Sequence, residues 1–163
     1  MCIRDRYYLF SRISFLSNLK PIALYHQGEC ADKLEDYDTA VKKYKMLFSI
    51  YPSNKLSLKA KYLAAQNLVN TNPNLAEKYF KEILESAPHS DYAIAAEYYL
   101  GLLLMKYYTE GENKIFPLSK KDDAENFFRH YLKKAPSGRL ALNVINDWLS
   151  LDKTTVSYTH LTL

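Results

Sequence analysis

Four histidines and two cysteines are the residues of this 163-residue chain that could bind a transition metal or act as strong nucleophiles. His26 and Cys30 stand four residues apart, a spacing that places two soft ligands on one face of a helix. A structural zinc site needs a third and a fourth ligand at matching spacing, and the sequence offers none. His89 and His130 likewise have no further ligands at matching spacing in the sequence. We therefore expect no metal site, and we expect Cys30 to be buried as a small apolar side chain.

Motifs of catalysis are also missing from the sequence. It has no glycine-rich phosphate loop, no nucleophile elbow and no His-Glu-x-x-His pair. With only four glycines, few positions can adopt the strained backbone that active sites often use. These observations predict a protein that is not an enzyme and that holds no cofactor. A catalytic domain of helical fold is the alternative, and it would need a constellation of residues that the sequence does not show.

The two ends of the chain, MCIRDR and VSYTHLTL, resemble translated sequencing-adaptor read-through from a metagenomic assembly. We expect residues 1–6 and 156–163 to be artefacts of this kind and the true termini to be missing, so both strings are set aside as a tag would be. The remainder has 20 basic and 17 acidic residues, a net charge of +3. Such a mild excess predicts no nucleic-acid partner. No apolar run approaches the roughly 20 residues of a membrane-spanning helix.

One spacing recurs three times and indicates a structural repeat. A small residue is followed after four positions by an aromatic residue and after twelve by a proline: Ala40, Tyr44, Pro52; Ala76, Phe80, Pro88; and Ala124, Phe128, Pro136. The small and aromatic residues share one helix face, and the proline ends the helix. The sequence therefore predicts three equivalent helices.

A second helix precedes each of these three. Gly28 lies 12 residues before Ala40, and Ala64 lies 12 before Ala76. Glycine in a helix interior costs about 1 kcal/mol relative to alanine, and it lets a partner helix approach closely. In the third unit Gly101 lies 23 residues before Ala124, so about 11 residues are inserted near 109–120. The predicted helices span 7–17, 21–34, 37–50, 55–70, 73–86, 91–108, 119–134 and 138–151.

The order helix, turn, helix, proline resembles the tetratricopeptide repeat family over about residues 21–152. The resemblance implies an all-α, right-handed α-solenoid of about three helix-turn-helix hairpins. Its segments are a remnant helix at 7–20, repeats at 21–54, 55–90 and 91–137, and a capping helix at 138–152. The sequence departs from the family where tryptophan is usual, at Leu24, Ala60 and Glu97, and where tyrosine is usual, at Ala31, Asn67 and Leu104.

The resemblance also implies a function, the binding of a protein or peptide segment in a concave groove lined by the first helices. The family register places nine residues there: Tyr25, Glu29, Asp32, Lys61, Ala65, Leu68, Tyr98, Leu102 and Met105. Ile115 and Phe116 of the inserted segment are a further expected contact. The family's clamp for chaperone carboxylates is absent, since Tyr25, Glu29 and Tyr62 occupy clamp positions. The oligomeric state cannot be inferred.

Two finer interpretations remain. The segments APHSDYAIAAEYYLG and AENFFRHYLKKAPSGRLALNVINDWLSL are similar to bacterial periplasmic repeat proteins, such as the outer-membrane β-barrel assembly lipoprotein and the Tol-Pal coordinating protein. That similarity would imply a periplasmic or outer-membrane-associated protein, and otherwise we expect a cytoplasmic one. The alternative function is RNA binding by a helical repeat. Lys42, Lys43 and Lys45 form no stripe along the first helices, which argues against it.

Overall fold

The computed structural model describes residues 3–13, 19–109 and 118–159, and all of its regular structure there is helical. The eight helices in these ranges are α1 Ile3–Ile13, α2 Lys20–Lys33, α3 Tyr37–Ile50, α4 Lys55–Leu68, α5 Pro73–Ser86, α6 Asp91–Thr109, α7 Leu118–Lys134 and α8 Ala141–Thr159. The expected all-α helical-repeat fold is confirmed. Every helix in the described ranges is too short or too polar to cross a lipid bilayer.

The six predicted helices from 21–34 to 119–134 agree with α2–α7 to within two residues at each end. The outer two differ. α1 begins at Ile3 and so includes residues assigned to an artefact, and α8 begins at Ala141 and continues to Thr159. The later start of α8 has a local cause, because the Gly138 amide donates to the Ala135 carbonyl at 3.0 Å and closes a turn. The adaptor origin of the two ends stays a prediction.

Side-chain caps fix where the inner helices begin. Asp36 accepts a hydrogen bond from the Thr39 amide at 3.1 Å and so caps α3. Asn54 accepts from the Leu56 amide at 2.9 Å at the start of α4, and Ser90 accepts from the Ala93 amide at 3.1 Å at the start of α6. Each cap satisfies a backbone donor that has no partner within the helix.

The helices fall into two compact units, residues 1–83 and residues 84–163. In the first unit, α2 and α3 meet where the Tyr44 ring lies over Gly28. A Cβ atom added at Gly28 would lie 2.3 Å from Tyr44 Cε1, so a larger residue would force the ring to move. Tyr44, Leu47 and Phe80 are fully buried.

The second unit repeats this contact between α6 and α7, where the Phe128 ring lies over Gly101. A Cβ atom at Gly101 would lie 2.6 Å from Phe128 Cε1. Phe128 belongs to a core cluster with Tyr98, Tyr131, Ala141 and Val144. α8 closes this core, since Ala141 and Val144 come from its first two turns.

Candidate functional site

The nine residues predicted to line the groove differ in exposure. Tyr25, Ala65, Leu68 and Tyr98 are buried, with at most 8% of their surface exposed. The other five are partly exposed: Glu29, Asp32, Lys61, Leu102 and Met105. These four side chains are thus buried at positions that the family register expects to be exposed, and their contact with a ligand stays a prediction. Ile115 and Phe116 lie outside the described residues.

Packing between helices explains why the two tyrosines are buried. The Tyr25 ring lies against Tyr44 of α3, with 6.1 Å between ring centroids, and Lys59 Nζ lies 4.9 Å from its centroid. The Tyr98 ring packs against Phe128 and Tyr131, at centroid distances of 6.2 and 6.3 Å. Both aromatic rings are core residues of their own unit.

The hydroxyl group of Tyr25 holds the first of two carboxylates on α2. Tyr25 Oη donates to Glu29 Oε1 at 2.6 Å, and His26 Nδ1 lies 2.8 Å from Glu29 Oε2. Burial opposes ionisation of this carboxyl, but the hydrogen bonds from Tyr25 and His26, together with electrostatic attraction by His26 and Lys59, outweigh burial and lower the pKa of Glu29. Glu29 is thus a carboxylate whose two oxygens are both fixed by neighbours.

Asp32, one turn later on α2, is held by residues from two other helices. Tyr44 Oη of α3 donates to Asp32 Oδ2 at 2.5 Å, and the Asn67 side-chain amide of α4 donates to Asp32 Oδ1. Burial raises the pKa of Asp32 even though both hydrogen bonds act to lower it. We call Tyr25, His26, Glu29, Asp32 and Asn67 the α2–α4 polar cluster.

Lys61 takes part in a separate contact. Its ammonium group lies 2.9 Å from Glu82 Oε2 of α5 and 5.4 Å from the centroid of the Phe48 ring. An ion pair and a cation–π contact therefore hold Lys61 toward α3 and α5. Its role as a groove residue stays a prediction.

In the second unit, the residues predicted to line the groove lie on the side of α6 that faces α8. Tyr98 Oη donates to Asp147 Oδ2 at 2.8 Å, and burial together with this bond raises the pKa of the Tyr98 phenol. Ser150 Oγ lies 3.8 Å from Met105 Sδ, and Leu102 packs against the core cluster. These contacts stabilise the packing of α6 on α8.

Sequence reasoning missed two polar residues that stand at apolar positions of the repeat. Asn67, where the family has tyrosine, donates to Asp32. Glu97, where the family has tryptophan, is 6% exposed and accepts from Lys134 Nζ at 2.6 Å through Oε1, whereas its Oε2 has no hydrogen-bond partner. Both departures from the pattern were visible in the sequence and could have indicated these contacts.

The chemistry available to the α2–α4 polar cluster is that of hydrogen-bond acceptance and negative charge. In the described part of the chain, no group of three His, Cys, Asp or Glu side chains is placed to hold a metal ion. Cys30 is buried, as expected. The two carboxylates can therefore receive donors such as peptide amides, lysine or arginine.

Comparison with known families agrees with the repeat. The family model described as Tetratricopeptide repeat matches residues 22–54, which contain α2 and α3. No curated protein matches the sequence. Tetratricopeptide repeats are typically non-enzymatic scaffolds for protein interaction. The match supports neither a cell-envelope role nor the RNA-binding alternative.

Proposed function

We propose that this tetratricopeptide-repeat chain is a non-enzymatic scaffold that binds a segment of another protein on the exposed side of α2 and α4. The carboxylates of Glu29 and Asp32 are the polar anchors. The observation that carries this proposal is the fixing of both carboxylates by neighbouring side chains while both remain partly exposed.

Fixing these side chains in advance favours binding, because immobilising a free side chain on association costs about 0.5–1.5 kcal/mol. A carboxylate offers about four acceptor positions, so one or two bonds from neighbours leave others for a ligand. The Tyr25 and Tyr44 hydroxyls are supports of the anchors rather than ligand contacts. This arrangement revises the groove hypothesis, in which Tyr25 itself met the ligand.

The sign of the charge indicates the kind of segment. Two carboxylates one helical turn apart attract lysine, arginine and backbone donors, and they repel phosphate groups. The bound segment is therefore a peptide with basic or amide-rich character. A nucleic acid would need a basic surface on these first helices.

A random peptide display library tests the proposal, with the parent chain and the Glu29→Gln, Asp32→Asn double variant as baits. Both substitutions keep the side-chain shape while they remove the negative charges. Peptides enriched on the parent should contain lysine or arginine and should bind the double variant at least ten times more weakly. Glu85→Gln, at an exposed position of α5, is the matched control and should bind as the parent does.

Melting curves of the three proteins separate lost binding from lost folding. Peptides that bind the parent and the double variant equally well would show that these carboxylates are not the anchors. Failure to enrich any peptide on the folded parent would contradict the scaffold function itself.

A further inference from the structure

Lys59 of α4 places an ammonium group beside the α2–α4 polar cluster. Its Nζ atom lies 4.9 Å from the centroid of the Tyr25 ring, and the hydroxyl group of the same ring donates to Glu29. Lys59 is partly exposed, and its positive charge attracts the Glu29 carboxylate. The chain therefore holds a cation of its own next to the carboxylate that, in the proposed function, receives a basic residue of the partner.

The contact that holds Lys59 in place is a weak one. Among the described residues, no carboxylate lies within ion-pair distance of its ammonium group, so the aromatic ring is its contact. Lys61, two residues later on α4, has an ion pair with Glu82 at 2.9 Å in addition to its contact with the Phe48 ring. A cation over a ring at a partly exposed site is stabilised less than one that also bonds a carboxylate. Lys59 is thus the more easily displaced of the two lysines.

Tyr25 is only 3% exposed, and Lys59 is one of the side chains that cover its ring. The Tyr44 and His26 rings lie against it at centroid distances of 6.1 and 5.3 Å. Lys59 differs from these rigid rings because its charge stands on a flexible four-carbon stem. Movement of this one side chain would open a space for a cation, bounded by the Tyr25 ring and the Glu29 carboxylate.

We propose that this space, the Tyr25–Glu29 cation subsite, receives a lysine or arginine of the bound segment, and that Lys59 occupies it in the free protein. The inference rests on the proposed function and adds to it a position for the charge of the ligand. A ligand cation can contact the ring and donate to Glu29 together, whereas Lys59 contacts the ring alone. The Tyr25 hydroxyl group still supports Glu29, and only the face of the ring meets the ligand.

Lys59 then acts as a competitor within the chain and selects the ligand. A segment without a basic residue has nothing to put in its place, so it leaves Lys59 over the ring. A segment with lysine or arginine exchanges one cation for another and gains the bond to Glu29.

Three variants test the competition, with an arginine-containing peptide from the display experiment as the probe and calorimetric titration as the measurement. Lys59→Ala should raise the affinity for this peptide at least fivefold, because the competitor is gone. Lys55→Ala, at an exposed position one turn earlier on α4, removes the same charge and should change the affinity less than twofold. Lys59→Arg should lower the affinity at least threefold, since a guanidinium group stacks on an aromatic ring better than an ammonium group does.

The opposite effects of Lys59→Ala and Lys59→Arg separate competition from net charge, because the arginine variant keeps the charge of the parent. The same peptide with neutral citrulline in place of arginine should bind the parent and Lys59→Ala equally well. Equal affinities of the parent, Lys59→Ala and Lys59→Arg for the arginine peptide would overturn the proposal.

Proton NMR reports the position of Lys59 directly, because an aromatic ring shifts the resonances of methylene protons that lie over its face. The spectrum of Lys59→Arg identifies the Lys59 signals. N-methylguanidinium chloride, the head group of an arginine side chain, should move them saturably to the positions of an exposed lysine, whereas sodium chloride at equal ionic strength should not.

The two experiments also distinguish this inference from the proposed function. Lys59 signals that stay in place while the arginine peptide binds the parent, and binds the Glu29→Gln, Asp32→Asn variant more weakly, would overturn the subsite and leave the scaffold function standing. If no peptide binds the folded parent, the proposed function fails, and the methylguanidinium titration alone then decides whether the subsite takes a cation.

Discussion

The two units use the same contact between helices but different aromatic residues to make it. Tyr44 lies over Gly28 in the first unit, and Phe128 lies over Gly101 in the second. The Tyr44 hydroxyl continues outward to Asp32 and so reaches the α2–α4 polar cluster. Phe128 has no such group and ends in an apolar cluster. The ring therefore makes the hairpin, while the hydroxyl connects the hairpin to a polar surface.

Removing a buried ring should give the largest loss of stability in either unit. Phe80→Ala in the first unit and Phe128→Ala in the second should each lower the free energy of unfolding by about 3–5 kcal/mol, because each empties a fully buried position. Urea denaturation followed by circular dichroism measures this loss. A cost below about 1 kcal/mol at one site but not at the other would show that the two rings do not contribute equally to stability.

Exchanging the aromatic residues tests the difference between the units directly. Tyr44→Phe keeps the ring but removes a donor to Asp32, which should cost about 1.5–3 kcal/mol as for a hydrogen bond to a charged group. Phe128→Tyr should cost about 1–3 kcal/mol for the opposite reason, since it places a hydroxyl in an apolar cluster. Urea titrations of both variants provide the measurement. If Tyr44→Phe is neutral, the hydroxyl does not hold Asp32.

A smaller effect is expected where α5 packs against its neighbours. Ala76 is fully buried, so Ala76→Leu should overpack the contact and cost about 1–3 kcal/mol. Lys78, two residues later, is exposed, and Lys78→Leu should change stability by less than about 0.5 kcal/mol. Thermal melting of the two variants gives the comparison, and equal shifts would contradict the repeat register.

The sequence predicted the helices, their order and the close approach of a partner helix at the glycines, because these follow from spacings within about 24 residues. It failed on the exposure of Tyr25 and Tyr98. The family register assigns a residue to a helix face, but it does not give the depth of that face below the surface. The partner of the Tyr98 hydroxyl is Asp147, 49 residues away, and the amide on Asp32 comes from Asn67, 35 residues away. Such contacts depend on how helices pack, which local spacing does not encode.

The smallest expected effect concerns the two carboxylates of the α2–α4 polar cluster, which should respond to pH in opposite directions. The pKa of Glu29 is lowered from its ordinary value of 4.5, so the unfolded chain binds the proton more tightly. Its contribution is fully present above pH 4.5 and is lost as pH falls through the folded pKa. The pKa of Asp32 is raised from 3.8, so here the folded chain binds the proton more tightly. Stability from Asp32 is therefore greatest below pH 3.8 and declines as pH rises through the raised value.

Melting temperatures between pH 3 and pH 7 should separate these two contributions. Glu29→Gln should flatten the rise of stability with pH near 4.5, because the variant has no carboxylate to protonate there. Asp32→Asn should steepen the net rise above pH 3.8, because it removes a contribution that declines with rising pH. Each substitution also changes hydrogen bonds by an amount that does not depend on pH, so slopes rather than absolute values are compared. Parallel curves for the two variants would show that burial at Asp32 and the interactions at Glu29 do not shift the two pKa values in opposite directions.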